Sequence, residues 1–262
     1  MKVSIIIPAY NEEKRIGKTL AFYSSFFNKL KKDKILDYEI IVIINGTTDS
    51  TEDIVKSFLK KEKNISYLNL RQGSKGLAVL AGFKNAIKRK NDLIGFVDAD
   101  MATPPESFYD LIKNINNYDA IIASRYLPGA IINPKPTLQR IIVSRIFNFL
   151  IKSILFLKFK DTQCGAKLFK KKPLEKIINK LTLSNWAFDV DMLYTLNKNG
   201  FIIKEMPTRW SDMEYSKINF WKASPWMFLS ILRLRILNSP FKKLVNLYGF
   251  FLRLARKITE DK

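Results

Sequence analysis

The sequence contains no histidine and only one cysteine, Cys164, in 262 residues. The absence of histidine excludes the usual Ser-His-Asp nucleophilic relay and zinc sites built on imidazole. A single cysteine cannot form a disulfide within the chain, which excludes a disulfide-rich scaffold. Any bound metal must therefore be held mainly by oxygen ligands, and this favours Mg²⁺ or Mn²⁺.

The sequence also lacks an uninterrupted apolar run of about 20 residues, the length that spans a membrane. Arg145 and Lys152 interrupt the apolar run at 141–157, and four basic residues interrupt the run at 223–252. The start of the chain shows no pattern of a secretory signal. We therefore expect a soluble or peripheral protein at the cytoplasmic face of a membrane, without a transmembrane helix.

Acidic residues are scarce relative to basic ones, and the imbalance is concentrated in the second half. Residues 1–131 carry 20 basic and 15 acidic side chains, whereas residues 132–262 carry 25 and 9, for a net charge of +21 over the whole chain. The hydrophobic content of 47% excludes a disordered chain. The basic half predicts an anionic partner: nucleic acid, membrane phospholipid or a phosphorylated substrate.

Strand-like and helix-like segments alternate through the first half of the chain. The apolar runs at 3–8, 38–44, 65–70, 93–97 and 120–123 indicate buried strands, and amphipathic segments lie between them. This order predicts an α/β fold with a mostly parallel sheet and helices on both faces. Ligands bind such sheets at the carboxyl ends of the strands, where the polar loops at 9–13, 45–50, 71–76 and 98–103 are expected.

Two of these loops carry recognisable chemistry. Asp98-Ala-Asp100 follows a buried strand, and two carboxylates so placed can share a divalent cation that neutralises a diphosphate leaving group. An acidic turn that caps the next helix is the alternative interpretation. Lys75 lies in a flexible loop before a helix and could contact phosphate. Neither a Walker loop nor a G-x-G-x-x-G motif is present, so a dinucleotide site is not expected.

As an ordered set, the motifs resemble family 2 glycosyltransferases of the GT-A (Rossmann-like) fold. The matching segments are Ser4–Glu13, Glu39–Thr51, Lys75-Gly76 and Asp98–Asp100. Further segments resemble the dolichyl-phosphate sugar synthases, with the β-glucosyltransferase branch closest and the mannose synthases related; they are Ser124–Tyr126, Asp161–Gly165, Lys167–Phe169, Trp186–Asp191 and Glu214–Lys217. The resemblance covers roughly residues 1–220.

The resemblance implies a role for each matching position. Asp98 and Asp100 would bind the metal and the donor diphosphate, and Arg125 would contact donor or acceptor phosphate. Asp189 and Asp191 resemble the acidic site that is a base in relatives with hydroxyl acceptors. Asp191, expected to be catalytic together with Asp100 and Arg125, would here instead orient the sugar or a loop; an acidic first turn of a helix is the alternative interpretation. The donor nucleotide is expected to bind six further positions, of which the last two are late basic residues: Pro8, Tyr10, Glu12, Lys75, Arg209 and Lys217. The acceptor phosphate is expected to bind three arginines: Arg125, Arg140 and Arg145.

The family resemblance implies an inverting transfer of glucose from UDP-glucose to a polyprenyl or dolichyl phosphate. The ionised acceptor needs no strong general base, which suits a protein without histidine. We expect a GT-A domain at 1–218, which includes amphipathic acceptor helices at 137–157, and basic-aromatic, amphipathic interfacial helices at 219–262 that associate with the membrane surface. Asn45 departs from the acidic residue usual at the end of the second strand and is expected to alter base recognition.

Several alternatives stay open at this point. Within enzymes, the donor could be GDP-mannose, or the acceptor a glycan hydroxyl. Ala102, where mannosyl relatives often carry glutamine, favours the glucosyl branch. A nucleic-acid-binding module would fit the net charge, but the basic residues cluster beside apolar segments and match no reader motif, so no nucleic acid is expected. A non-catalytic relative that binds membranes or serves as a scaffold is the last alternative, suggested by the altered segment Ile44-Asn45.

Overall fold

The fold is an α/β structure in which strands and helices alternate, as the hydrophobic pattern predicts. The computed structural model describes residues 1–71, 74–182, 187–211 and 220–242. The strands are β1 Lys2–Ala9, β2 Asp37–Asn45, β3 Ile65–Leu70, β4 Leu93–Phe96, β5 Ala120–Ser124, β6 Ile131–Ile132, β7 Lys167–Lys170, β8 Ile203–Pro207 and β9 Arg209–Trp210. The helices are α1 Ile16–Lys32, α2 Thr51–Leu59, α3 Lys75–Ile87, α4 Pro105–Lys113, α5 Leu138–Leu155, α6 Lys171–Ile177, α7 Phe188–Lys198 and α8 Phe220–Leu237.

Seven of these strands form one sheet in the order β3-β2-β1-β4-β7-β5-β8. All neighbouring pairs are parallel except those of β7, which runs antiparallel to both β4 and β5. The mostly parallel sheet confirms the fold class. The short strands β6 and β9 pair separately as a two-stranded parallel ribbon. Thr208 donates its backbone N–H to the carbonyl of Ser124, the last residue of β5, so the ribbon lies near the carboxyl end of that strand.

The two faces of the sheet carry separate apolar cores. Ile5 and Ile7 of β1 face a core shared with α1 and α4, while Ile6 between them faces a core shared with α3, α6 and α7. This alternation is the period of two that a strand buried on both faces requires. A third cluster joins α5, α7 and α8 around Ile122 of β5. The sheet is thus packed between two layers of helices, and the carboxyl ends of its parallel strands lie at one edge of the sheet.

The second half of the chain differs from the first as its composition suggested. The expected amphipathic segment at 137–157 forms one helix, α5, which contacts α8. Of the expected C-terminal helices, only the part up to residue 242 lies within the described residues, and 243–262 lie outside them. No helix in the described ranges has both the length and the hydrophobicity of a membrane span. The proposed division into domains at residue 218 stays a prediction.

Candidate active site

The Asp98–Asp100 loop leaves the carboxyl end of β4 and is held in place by α1. The hydroxyl of Thr19 donates to the carbonyl of Ala99 at 2.7 Å, and the hydroxyl of Tyr23 donates to the carbonyl of Thr103 at 2.8 Å. Both side chains are fully buried. Burial, followed by nearby carboxylates, raises the pKa of Tyr23 well above its ordinary value, so its hydroxyl stays a donor. The loop is thus anchored at two backbone carbonyls.

The two carboxylates of this loop lie close enough to interact. Burial raises the pKa of Asp100, and the negative charge of Asp98 raises it further. Asp100 also accepts a hydrogen bond from the backbone N–H of Ala102 at 3.0 Å. A divalent cation would relieve the repulsion, and carboxylate oxygens are ligands that Mg²⁺ and Mn²⁺ accept. The donor set therefore fits the predicted metal.

The carboxylate pair provides only part of a coordination shell. Across the described part of the chain, no group of three or more His, Cys, Asp or Glu residues is placed to hold a metal ion. Mg²⁺ is commonly bound by one or two carboxylates, with water and substrate phosphates at its remaining positions. The pair Asp98 and Asp100 matches that arrangement, in which the ligand completes the shell.

Lys75, in the first turn of α3, pairs with Asp98. Its Nζ lies 2.5 Å from Oδ1 of Asp98, and its side chain is about half exposed (46%). Burial lowers the pKa of Lys75, but the carboxylates of Asp98 and Asp189 outweigh that effect and raise it. Lys75 therefore carries a full positive charge at neutral pH, at the loop where the sequence predicts phosphate contacts.

Gly165 lies directly against the carboxylate of Asp98. A Cβ at residue 165 would overlap Oδ2 and Cγ of Asp98 and would lie 2.9 Å from its Oδ1. Only glycine allows the Asp98 side chain this position. In the sequence, Asp161–Gly165 is recognisable only by its family resemblance. In the structure, this segment forms the surface against which the Asp98 carboxylate packs.

The loops after β1 and β2 are joined by hydrogen bonds. Asn11, at a φ of 52°, donates its backbone N–H to the hydroxyl of Thr47 at 2.7 Å, and its side-chain oxygen accepts the N–H of Thr48 at 2.8 Å. Glu12 donates its N–H to the hydroxyl of Thr51 at 2.7 Å. Two loops that are 36 residues apart in sequence thus form one rigid wall.

The four residues predicted to bind the nucleotide from these two loops have different surroundings. Tyr10 is half exposed and Pro8 is partly buried. The carboxylate of Glu12 forms two hydrogen bonds of 2.6 Å to Arg15. Asn45 is buried, and its Oδ1 has no hydrogen-bond partner among the described residues. A ligand N–H at that position would satisfy this oxygen, since a buried acceptor without a partner is costly.

Arg125 follows β5 and is fixed by Asp161. Its Nε and Nη2 donate to the two carboxylate oxygens at 2.7 and 3.0 Å, and its backbone N–H donates at 3.0 Å. Asp161 is fully buried. Burial alone would raise the pKa of Asp161, but the charge and hydrogen bonds of Arg125 outweigh it and lower that pKa. The guanidinium is therefore held in one orientation, with Nη1 outside the bidentate pair.

Tyr126 brings α5 to the same place. Its hydroxyl lies 2.6 Å from the hydroxyl of Ser144, and the guanidinium carbon of Arg145 lies 4.1 Å from its ring centroid. The guanidinium carbon of Arg125 lies 5.4 Å from the same centroid. The structure thus brings together two of the three arginines predicted to bind the acceptor phosphate. Arg140, the third, lies in the first turn of α5.

The structure distinguishes the two aspartates of α7. Asp191, the predicted one, is 1% exposed and accepts hydrogen bonds from the backbone and hydroxyl of Thr182 and from the hydroxyl of Thr195. These contacts favour the loop-holding role over contact with the sugar, and the catalytic role stays a prediction. Asp189, by contrast, forms an ion pair with fully buried Lys167 at 2.6 Å. Its negative charge also raises the pKa of Lys75. Sequence reasoning missed this pair, for which a lysine in an apolar strand was the available signal.

The two late basic residues are less informative. Arg209 is exposed on β9, next to Trp210, which is buried and lies 5.2 Å from the guanidinium carbon of Arg125. Because successive strand residues point to opposite sides, Arg209 points away from Arg125. The ribbon still reaches the segment that follows the Asp98–Asp100 pair, since Ser211 donates its N–H to the carbonyl of Ala102 at 2.9 Å. Lys217 and Trp186 lie outside the described residues.

Comparison with solved structures identifies the fold. Glucosyl-3-phosphoglycerate synthase from Mycobacterium tuberculosis, solved with Mn²⁺, UDP and glucosyl-3-phosphoglycerate, matches with a TM-score of 0.64 at 15% identity, over 90% of this chain and 78% of that one. A mannosyltransferase from Pyrobaculum calidifontis, solved with GDP-Man and Mn²⁺, matches with a TM-score of 0.57 at 14% identity, over 90% and 63%. Both support the predicted GT-A fold.

Sequence comparison identifies the family. Dolichyl-phosphate beta-glucosyltransferase from Dictyostelium discoideum is 34% identical over 243 residues, which are 89% of this chain and 73% of that protein. The protein of the same name from Homo sapiens is 27% identical over 258 residues, 92% of this chain and 78% of that protein. The family profile described as "Glycosyl transferase family 2" matches residues 4–178. The chain therefore belongs to glycosyl transferase family 2.

Proposed function

We propose that this protein is an inverting hexosyltransferase that moves glucose from UDP-glucose to a polyprenyl or dolichyl phosphate. The observation that carries the proposal is the Asp98–Asp100 carboxylate pair at the edge of the sheet. The basic groups proposed to bind phosphate lie around it: Lys75 at the start of α3, Arg125 after β5 and Arg145 on α5. The names of the relatives in Dictyostelium and human support glucose as the transferred sugar and dolichyl phosphate as the acceptor.

Asp98 and Asp100 would hold Mg²⁺ or Mn²⁺ together with the donor diphosphate. The cation would supply charge neutralisation of the diphosphate as it leaves. The two solved neighbours described above contain Mn²⁺ together with UDP and with GDP-Man, respectively, and this supports a divalent metal. On the protein side, Lys75 adds a positive charge and Gly165 keeps the Asp98 carboxylate in position.

The transfer proposed is a single displacement at C1 of the sugar. An acceptor phosphate oxygen forms the new bond to C1 as the bond from C1 to the nucleoside diphosphate breaks, so the configuration at C1 inverts. The phosphate oxygen is already ionised at neutral pH, and no proton has to be removed from it. Arg125, fixed by Asp161, and Arg145 across the Tyr126 ring are the groups proposed to position that phosphate.

The outer face of α5 supports a lipid acceptor. Four large apolar side chains lie at intervals of three or four residues and are 51–74% exposed: Leu138, Ile142, Ile146 and Phe149. Such spacing places them on one side of the helix, and basic residues flank them at 145 and 152. We propose that this side contacts the cytoplasmic face of a membrane, where the acceptor would be presented.

The decisive experiment is a transfer assay with purified full-length protein, Mg²⁺ or Mn²⁺, a short polyprenyl phosphate and a panel of UDP- and GDP-sugars. The expected result is a glucosyl-lipid product from UDP-glucose that is abolished by EDTA and by Asp100→Ala. Asp110→Ala removes an exposed carboxylate paired with Lys113 on α4 and is the matched control. A product from GDP-mannose alone would show that UDP-glucose is not the donor. Nucleotide-sugar binding without a lipid product would show that the acceptor is not a polyprenyl phosphate.

A further inference from the structure

Lys75 occupies an unusual position for a cation. It is the first residue of α3, whose first turn contains no acidic residue. The amino end of a helix carries partial positive charge, so anions are favoured there and a lysine is not. The compensating anion is Asp98, whose Oδ1 lies 2.5 Å from the Lys75 Nζ. The amino end of α3 and Lys75 thus direct positive charge at one carboxylate of the metal loop.

The two oxygens of Asp98 are not equivalent. Oδ2 lies where a side chain at Gly165 would begin, so this oxygen is packed against the Asp161–Gly165 segment. Oδ1 is the one that Lys75 contacts. Because Oδ2 is packed against that segment, a divalent cation that binds Asp98 would approach Oδ1, which already contacts the ammonium group of Lys75. Like charges at such a short distance repel strongly.

A second anion is available to Lys75. Asp189 acts electrostatically on Lys75 and is held by Lys167, whose Nζ lies 2.6 Å from Oδ1 of Asp189 and also donates to the carbonyl of Cys164. The Nζ atoms of Lys75 and Lys167 lie 5.9 and 5.2 Å from the centroid of the same Phe96 ring. Charges of alternating sign therefore extend from Asp98 inward, and Asp98 is not the only carboxylate that stabilises the charge of Lys75.

We propose that Lys75 is a built-in counter-ion that competes with the divalent cation for Asp98 in the donor-free enzyme and moves to the donor diphosphate when metal and donor bind together. This proposal rests on the proposed function, because it takes Asp98 as a metal ligand and a nucleoside diphosphate as the donor end. Its consequence is that metal without nucleotide binds weakly, whereas metal with nucleotide binds well.

The test measures Mn²⁺ binding by electron paramagnetic resonance, which needs no turnover. Lys75→Met should bind Mn²⁺ alone on the order of tenfold more tightly than the unmodified protein. In the presence of saturating Mn²⁺, the same variant should bind UDP on the order of tenfold more weakly, because the diphosphate loses its cationic partner. A merely structural role for Lys75 would weaken both affinities rather than move them in opposite directions.

Two variants control for charge and folding. Lys84→Met removes a positive charge from the exposed side of the same helix and should leave both affinities unchanged. Lys75→Arg keeps the charge and should bind Mn²⁺ alone as weakly as the unmodified protein. Lys75→Gln, with melting temperatures for all variants, repeats the main test with a polar replacement.

The outcomes separate this proposal from the proposed function. Equal or weaker binding of Mn²⁺ alone by Lys75→Met, in a protein that still binds Mn²⁺ with UDP, would overturn the competition and leave the function standing. If neither protein binds Mn²⁺ with or without UDP, the metal site at Asp98 and Asp100 is wrong and both proposals fall.

Discussion

Adding one methyl group at residue 165 is predicted to disable the site while leaving the fold intact. In Gly165→Ala the new Cβ would overlap the carboxylate of Asp98, which would have to withdraw by about 1 Å or more. The displaced group is the end of a side chain rather than backbone, so the free energy of unfolding should fall by about 2 kcal/mol at most. That corresponds to a drop in melting temperature of less than about 8 °C.

The effect on activity should be far larger. A displacement of about 1 Å in a positioning group can cost about 100-fold in rate, and Asp98 is a proposed ligand of the metal. We therefore expect kcat/KM for UDP-glucose to fall at least about 100-fold, with weaker Mn²⁺ binding measured by electron paramagnetic resonance.

A matched glycine provides the control. In Gly17→Ala the new Cβ meets Cγ2 of Ile54 at an ordinary 3.5 Å, so α1 should accept it without loss of activity or stability. The reasoning would be refuted if Gly165→Ala kept its activity within about threefold of the unmodified protein. It would also be refuted if that variant failed to fold, because the clash would then not be confined to the Asp98 side chain.

Three further predictions concern other buried groups. Asp161→Asn should lower the free energy of unfolding at neutral pH by roughly 3 kcal/mol, because it leaves Arg125 without its ionic partner; since the folded pKa of Asp161 is lowered, the difference from the unmodified protein in denaturant melts should shrink as the pH falls below about 4, and a constant difference would contradict this. Burial raises the pKa of the Cys164 thiol to about 12, so the folded protein at pH 8 should react with a thiol reagent at least about 100-fold more slowly than the urea-unfolded chain. Asp191→Asn should lower the melting temperature, because its bond from the backbone of Thr182 is lost, and should have little effect on kcat. A large loss of kcat at unchanged melting temperature would instead support a catalytic role for Asp191.

The sequence predicted the parallel part of the sheet well. The third strand matches at both ends, 65–70, and the other four predicted strands match within one residue at each end. These strands are buried on both faces, so their β-branched runs are continuous and easily recognised. The helix after β1 begins only at Ile16, because residues 11–13 form hydrogen bonds to the loop after β2. Tertiary contacts of that kind leave no local periodicity.

The arrangement of the candidate site could be predicted in part from the sequence. The Asp98–Asp100 pair and Lys75 lie next to predicted strands and helices, so the topology brings them together. The partnership of Arg125 with Asp161, 36 residues away, was not predicted, because it depends on β7. A four-residue strand such as Lys167–Lys170 carries too little pattern to show that it enters the sheet antiparallel between β4 and β5.

The direction of β7 has a consequence for how the site is assembled. In a sheet of parallel strands, the chain reaches the functional edge only as it leaves a strand, so every group there follows a strand in sequence. The reversed strand adds a segment that arrives at this edge before pairing, and its arriving residues 161–166 come directly from the region after α5. The surface on which Asp98 rests is therefore continuous in the chain with the helix that carries Arg145. If α5 contacts a lipid surface as proposed, a shift of that helix is joined through the backbone of residues 156–164 to the position of the Asp98 carboxylate, the proposed metal ligand.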